Sequence, residues 1–183
     1  SATGISAAMA IAVALLHRER TGEGQFIDCS LLDTYLQMHE DYIPRVGLRG
    51  DAASPERSGS QHPNGGPTGI FECGDGSFLQ MMIMPYQWPR LLQAIGMPEL
   101  GKDTRFDSPQ NRRKNKYELQ GIIEQWMAKI GDRQDILAIL KNQRVPVAPV
   151  LTLQEAINHP HAIKRGAIRE IKDPFIGNFP IPG

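Results

Sequence analysis

The sequence is short of cysteine, carries no excess of either charge and contains no long apolar run. Lys plus Arg number 20 and so do Asp plus Glu, leaving a net charge of zero and a pI near 6.9. A nucleic-acid partner held by a basic field is therefore not expected. The longest apolar run, Ala7 to Leu16, is about ten residues, well short of the roughly 18 to 20 that cross a bilayer, so no membrane span is expected. Cys29 and Cys73 are the only cysteines, beside seven methionines. That usage fits a reducing compartment rather than a disulfide-stapled secreted domain, and a cytoplasmic protein is expected. Phosphate-binding fingerprints are also missing: Gly22-Glu23-Gly24 lacks the third glycine and precedes a predicted strand, where a dinucleotide fingerprint follows one.

What is present is a globular composition, 40% hydrophobic and 22% charged over 183 residues, enough for one sizeable core or two small ones. The chain opens without Met, directly into a predicted helix that Ser1 or Thr3 would cap before Ala7, Ala8, Ala10, Ile11, Ala14 and Leu15. No basic segment precedes that run and no small-residue cleavage site ends it, which argues against a secretory signal. An Ala-rich helix apolar on nearly every side needs neighbours to bury it. Together with a Pro- and Gly-rich end lacking a terminus of its own, this reads as a piece cut from a larger chain.

After the two-glycine turn Thr21 to Gln25, Phe26 to Ser30 reads as a short strand ending in a helix cap, and Leu31 to Ile43 has helical spacing up to Pro44. Arg45 to Pro67 holds five glycines, three prolines and three serines with no periodicity, the signature of a long loop at a domain boundary. Thr68 to Cys73, Gly74-Asp75-Gly76-Ser77 and Phe78 to Met84 read as a hairpin. Helices are expected at Tyr86 to Ile95, Tyr117 to Ile130 and Arg133 to Asn142, stopped by Gly96, Gly131 and Pro146. Val147 to Leu151 and Ala167 to Lys172 read as strands, with a turn of helix over Leu153 to Asn158. The six basic residues between Lys102 and Lys116 fit a solvated loop better than an anion site.

Few residues here carry obvious chemistry. His159-Pro160-His161 has no carboxylate or Cys at ligand spacing, so no metal is expected. Cys29 and Cys73 lack a flanking His or helix N-terminus to lower a thiol pKa, and read as packing. Asp28 and Asp33 are accounted for by a strand end and by a helix first turn. Met81, Met82, Met84, Tyr86 and Trp88 fit a core or an acyl pocket, the core being the commoner use of such spacing. The informative stretch is Arg57-Ser58-Gly59-Ser60-Gln61-His62-Pro63-Asn64-Gly65-Gly66-Pro67. Adjacent glycines let a backbone approach a ligand and offer N–H donors to a carboxylate or oxyanion. A flexible linker has the same composition, and composition leaves both readings open.

The run Leu16-His17-Arg18-Glu19-Arg20-Thr21-Gly22-Glu23-Gly24-Gln25-Phe26-Ile27-Asp28-Cys29-Ser30-Leu31-Leu32-Asp33 resembles one found in the class III (CaiB/BaiF) CoA-transferases, the family of formyl-CoA transferase, carnitine CoA-transferase and alpha-methylacyl-CoA racemase. Further matches follow in family order: His62-Pro63-Asn64, Phe71 to Gly76, Asp103-Thr104-Arg105-Phe106 with Asn111-Arg112, Val145 to Val150, and His159-Pro160 before Arg165-Gly166.

The resemblance implies an α/β protein: part of a Rossmann-like, CoA-binding large domain plus an α+β small domain with a short sheet and several helices. It places residues 1–45 in the large domain, 46–64 in a linker, 65–160 in the small domain and 161–183 in a return linker. It implies an acyl-CoA:carboxylate CoA-transferase working through an aspartyl-CoA thioester, with coenzyme A or acyl-CoA and a small carboxylic acid as substrates and no metal. The family's nucleophilic Asp would fall immediately before Ser1, so no catalytic residue is assigned within the chain and the chain alone is expected to be inactive. Gly65 and Gly66 are carried over as substrate-binding residues, with Pro67 departing from the formyl-CoA transferase pattern. The resemblance also implies an interlocked homodimer for the full-length enzyme. The racemases place an acid in the segment matching Met82 to Tyr86; this sequence has none there, which favours a transferase. A non-catalytic binding or assembly module is the alternative of a different class.

Overall fold

Residues 2–39, 41–63 and 65–183 are described by the structure, a computed structural model. Two compact units follow one another along the chain, Ser1–Glu56 and Arg57–Gly183. The division falls inside the 46–64 segment, and residues 161–183 belong to the second unit.

In the first unit, α1 (Ala2–Thr21) runs to a glycine stop at Gly22, whose φ of 79° suits a residue without Cβ and whose N–H reaches the Arg18 carbonyl at 2.8 Å. Thr3 is already helical and so is not its cap; Ser1 lies outside the described residues. No residue of α1 is buried, and Ile5, Met9, Val13 and Leu16 all face solvent. Phe26 to Ser30 was expected to be a strand and forms none. A strand needs a ladder partner for its N–H and C=O groups, and the described part of this unit offers no other strand.

Ser30 does cap α2 (Leu31–Met38): its hydroxyl accepts from the Asp33 N–H at 3.0 Å and donates to the Asp33 carboxylate at 2.6 Å. The expected single helix up to Pro44 is two. The chain breaks after Met38 and resumes as α3 (Tyr42–Arg49), with Pro44 in its first turn, where a missing N–H leaves no intrahelical bond unmade. Part of the expected loop is therefore helical, continuing into a 3₁₀ turn over Gly50–Ala53.

The second unit is built on the hairpin of β1 (Thr68–Glu72) and β2 (Phe78–Met82), antiparallel with Phe71 opposite Leu79. Gly76, with φ of 78°, makes the turn possible. A 3₁₀ turn over Pro85–Gln87 leads into α4 (Trp88–Ile95), which Gly96 ends in the left-handed region. A second 3₁₀ turn, Pro98–Gly101, precedes α5 (Pro109–Lys114), α6 (Lys116–Ile130) and α7 (Arg133–Asn142). β3 (Val147–Val150) returns to pair with β2, giving an antiparallel sheet in the order β1-β2-β3. Short helices α8 (Leu153–Ile157) and α9 (Pro160–Lys164) lead to the separate ribbon of β4 (Ile168–Asp173) and β5 (Gly177–Pro182).

In the sequence the β5 segment, with Pro180 and Pro182, reads as loop, yet it pairs with β4. In a two-stranded ribbon each strand has an open edge, which is where a residue without N–H is tolerated. The mixed α/β composition with short antiparallel sheets agrees with the fold class expected.

The core lies between one face of the three-stranded sheet and α4, α6 and α7. Phe71, Leu79 and Met81 come from the sheet, and Leu91, Leu119, Ile123, Met127, Ile136 and Leu140 from the helices. The spacing of Leu119, Ile123, Trp126 and Met127 places them on one face of α6. Each such side chain contributes roughly 1.5 to 3 kcal/mol on removal from water. β2 alternates, with Leu79 and Met81 buried and Phe78, Gln80 and Met82 outward.

Candidate functional site

The glycine stretch is closed at its base by β-type bonds. The His62 N–H donates to the Thr68 carbonyl at 2.7 Å, and the Ile70 N–H to the Ser60 carbonyl at 2.9 Å. The buried Gln61 side chain donates to the Ile70 carbonyl at 3.1 Å. Gly69 is the point of close approach, where a Cβ would come within 2.8 Å of the Gln61 Cα. The loop between these bonds is thus held to the edge of β1 rather than left as a free linker; Asn64 lies outside the described residues.

On this base sits a cleft of about 260 Å³. Gly65, Gly66, His62 and Thr68 form one wall, Met82, Ile83, Met84 and Pro85 the end of β2, and Pro109 and Arg112 the side contributed by α5. Both glycines singled out in the sequence border it. The Gly65 N–H makes only a long bond, 3.4 Å, to the His62 carbonyl, and the Gly66 N–H has no hydrogen-bond partner among the described residues. A Cβ on Gly65 would lie 2.6 Å from the Thr68 Cβ, and one on Gly66 3.0 Å from the Arg112 carbonyl carbon and oxygen. A side chain at Gly65 would collide with Thr68, and one at Gly66 would require α5 or the loop to give by a few tenths of an ångström.

Four of the five candidate aromatic and methionine residues divide between core and cleft. Met81 and Trp88 are core; Met82 and Met84 are exposed and border the cleft; Tyr86 is exposed and borders neither. The alternation of β2 separates Met81 from Met82, so neither reading covers the whole set.

Arg112 departs from the expected solvated loop. Ser108 caps α5 through the Asn111 N–H at 3.2 Å, and the resulting turn directs Arg112 inward, leaving it 3% exposed while Arg113 and Lys114 face solvent. Its guanidinium donates to the Phe106 carbonyl at 2.8 Å and, more weakly, to the Gly66 carbonyl at 3.4 Å, and lies 4.7 Å from the Trp88 ring centroid. Burial pushes its pKa down, opposed by the charge of Asp107. Among the described residues it forms no ion pair. A positive charge compensated by carbonyl dipoles and an aromatic face therefore stands beside the glycines. Nothing in composition distinguishes Arg112 from its basic neighbours; its place in the Asn111-Arg112 match was the one available signal.

The other candidates have local explanations. Asp28, Cys29 and Asp33 do come together along a shallow groove of about 500 Å³ in the first unit. Asp33 serves the Ser30 cap and Cys29 Sγ lies 3.7 Å from the Thr3 carbonyl. Cys73 is buried, and burial raises its pKa, which keeps it a thiol. His159 caps α9, its Nδ1 accepting from the His161 N–H at 3.2 Å. Among the described residues, no three His, Cys, Asp or Glu side chains converge as a metal site would need, and no helix is long and apolar enough to cross a membrane.

Over nearly its whole length the chain is similar to known proteins. The chain is 34% identical over 174 residues to a succinyl-CoA–D-citramalate CoA-transferase of Chloroflexus aurantiacus, covering 94% of this chain and 42% of that protein. It is 27% identical over 201 residues to a formyl-CoA:oxalate CoA-transferase of Shigella sonnei, covering 98% and 48%. Among solved structures, a CaiB/BaiF family protein from Brucella suis superposes with a TM-score of 0.75 at 28% identity, over 97% of this chain and 49% of that one. The chain thus spans about half the length of the curated relatives it matches. The family description for CoA-transferase family III matches residues 1–183, and the chain belongs to that family.

Proposed function

We propose that the protein carrying this chain moves coenzyme A between a CoA thioester and a carboxylic acid, and that Gly65 and Gly66 hold the acyl oxygens. The observation that carries the reading is the Gly66 N–H, without a partner among the described residues, at the wall of a cleft that also holds the buried charge of Arg112.

The chemistry fits those groups. An Asp carboxylate, supplied from outside this chain, attacks the donor thioester carbon and expels CoA thiolate, leaving a mixed anhydride. The thiolate attacks the aspartyl carbonyl, forming the aspartyl-CoA thioester and releasing the first acid as carboxylate. The acceptor carboxylate reverses the sequence and leaves as the new thioester, restoring the Asp. Each attack places negative charge on a carbonyl oxygen, and preorganised N–H donors beside a cation stabilise that charge. The absence of a carboxylate among the described cleft residues speaks for transfer rather than for racemisation, which needs a second acid/base beside the α-carbon. The same reading includes a homodimer of the longer protein, a reducing cytoplasmic setting and inactivity of residues 1–183 alone.

The test is acyl exchange by the full-length protein, using succinyl-CoA, the donor named for three of the relatives, with a panel of mono- and dicarboxylates. Formation of new thioester together with a CoA adduct on one Asp is expected. Absence of both exchange and adduct would overturn the proposal.

A further inference from the structure

Gly66 is gripped twice by one residue. Its α-carbon packs against the Arg112 backbone so closely that a Cβ would sit 3.0 Å from that carbonyl, while the Arg112 Nε–H reaches the Gly66 carbonyl at 3.4 Å. The same guanidinium is anchored by the Phe106 carbonyl at 2.8 Å and seated over the buried Trp88 ring at 4.7 Å. No carboxylate is paired with it among the described residues. An unpaired buried cation is costly, and a packed apolar side chain would stabilise the fold as well or better. Two groups, the Phe106 carbonyl and the Trp88 ring, thus fix a guanidinium whose other hydrogen bond is to the glycine loop.

We infer that Arg112 is a positioning residue for the Gly65–Gly66 loop. It holds the Gly66 peptide against α5 so that the loop stays open to the cleft at a fixed distance. Trp88 is its platform, and Phe106 supplies the carbonyl that orients the fork. Lysine would keep the charge but has neither the planar fork for two carbonyls nor the same stacking on indole. The inference deepens the transferase reading and rests on it for its kinetic arm alone.

The experiment uses the full-length protein, with Arg112→Lys and Arg112→Met beside wild type. Amide exchange at His62, Gly65 and Ile83, whose N–H groups bond to the Thr68, His62 and Pro67 carbonyls, reads loop order without any assay of activity. In Arg112→Lys, exchange at these sites should rise by about tenfold while core amides of α6 stay protected. With succinyl-CoA as donor, kcat should fall by roughly ten- to a hundredfold while the KM for the thioester moves less than about twofold, because a misplaced loop costs chemistry rather than ground-state binding. Arg112→Met should lower kcat at least as far. Unchanged loop exchange in Arg112→Lys would overturn the inference, as would a loosened loop with unchanged kcat. Wild-type protein lacking transferase activity would sink the transferase reading, and the exchange data would still decide whether Arg112 orders the loop.

Discussion

Gly74 and Gly131 touch backbone to backbone: a Cβ on Gly74 would stand 2.8 Å from the Gly131 Cα and 2.9 Å from the Ala128 carbonyl oxygen. The contact joins the turn of the β1–β2 hairpin to the end of α6. It is reinforced by the Asp75 N–H donating to the Gly131 carbonyl at 3.0 Å and by Asp75 accepting from the Arg133 N–H at 3.2 Å. The hairpin and the α6–α7 corner are therefore one unit, and the sheet that ends in the cleft takes its position from it.

Gly74→Ala should destabilise the second unit by roughly 1 to 3 kcal/mol, since neither neighbouring backbone is a flexible side-chain end. Gly76→Ala, which meets open space at φ of 78°, should cost about 1 to 2 kcal/mol through backbone strain alone. Denaturant melts of the full-length variants test this. Equal stability of Gly74→Ala and wild type would refute the close contact.

Adjacent methionines should behave oppositely. Met81 is 1% exposed and Met82 58%. Met81→Ala should cost about 2 to 5 kcal/mol, and Met82→Ala within about 0.5 kcal/mol of zero. Met82→Ala should instead change the preference among acyl donors of different length. Chemical melts and a donor series measure the two effects, and a reversed order of stability would mean the β2 register is wrong.

Gly66→Ala should leave the fold largely intact yet lower kcat by about a hundredfold in the full-length protein, because the new methyl must push α5 or the loop by a few tenths of an ångström. Steady-state kinetics beside a thermal melt separate the two. Full activity would show that the loop is not held where the acyl oxygens develop charge.

Arg133 pairs with Glu155 and donates to the Val150 carbonyl at 3.2 Å. The Arg133 hydrogen bond, then the Thr152 N–H, holds the Glu155 carboxyl down to about 2 from an ordinary 4.5. A carboxyl whose folded pKa is depressed supports the folded state fully above its unfolded pKa and loses that support as protonation sets in. The contribution should be intact above about pH 4.5 and fade as the pH falls toward 2. Glu155→Gln should flatten the stability profile in that window and leave the profile at neutral pH parallel to wild type. Identical acid limbs for the two proteins would refute the assignment.

Much of the architecture was legible along the chain because its causes are local. Ser30 caps α2 through its own neighbour, Gly96 and Gly131 stop helices by their backbone freedom, and the Asp75-Gly76 turn dictates the hairpin. The errors are equally physical. Phe26 to Ser30 has strand residues but no partner strand in its unit, and β5 hides behind prolines that an open edge tolerates. Thr3 is inside the helix it was expected to cap.

The sequence alone determined the family and the order of most elements, since motif order and nearest-neighbour chemistry survive without coordinates. Only the tertiary structure decided which basic residue of 102–116 turns inward, that Met81 and Met82 part company, and that the glycine loop is clamped between β1 and α5. Those facts depend on which surfaces meet after folding, and burial of one arginine among six cations is set by partners far away in the chain, Gly66 and Trp88, that no local pattern encodes.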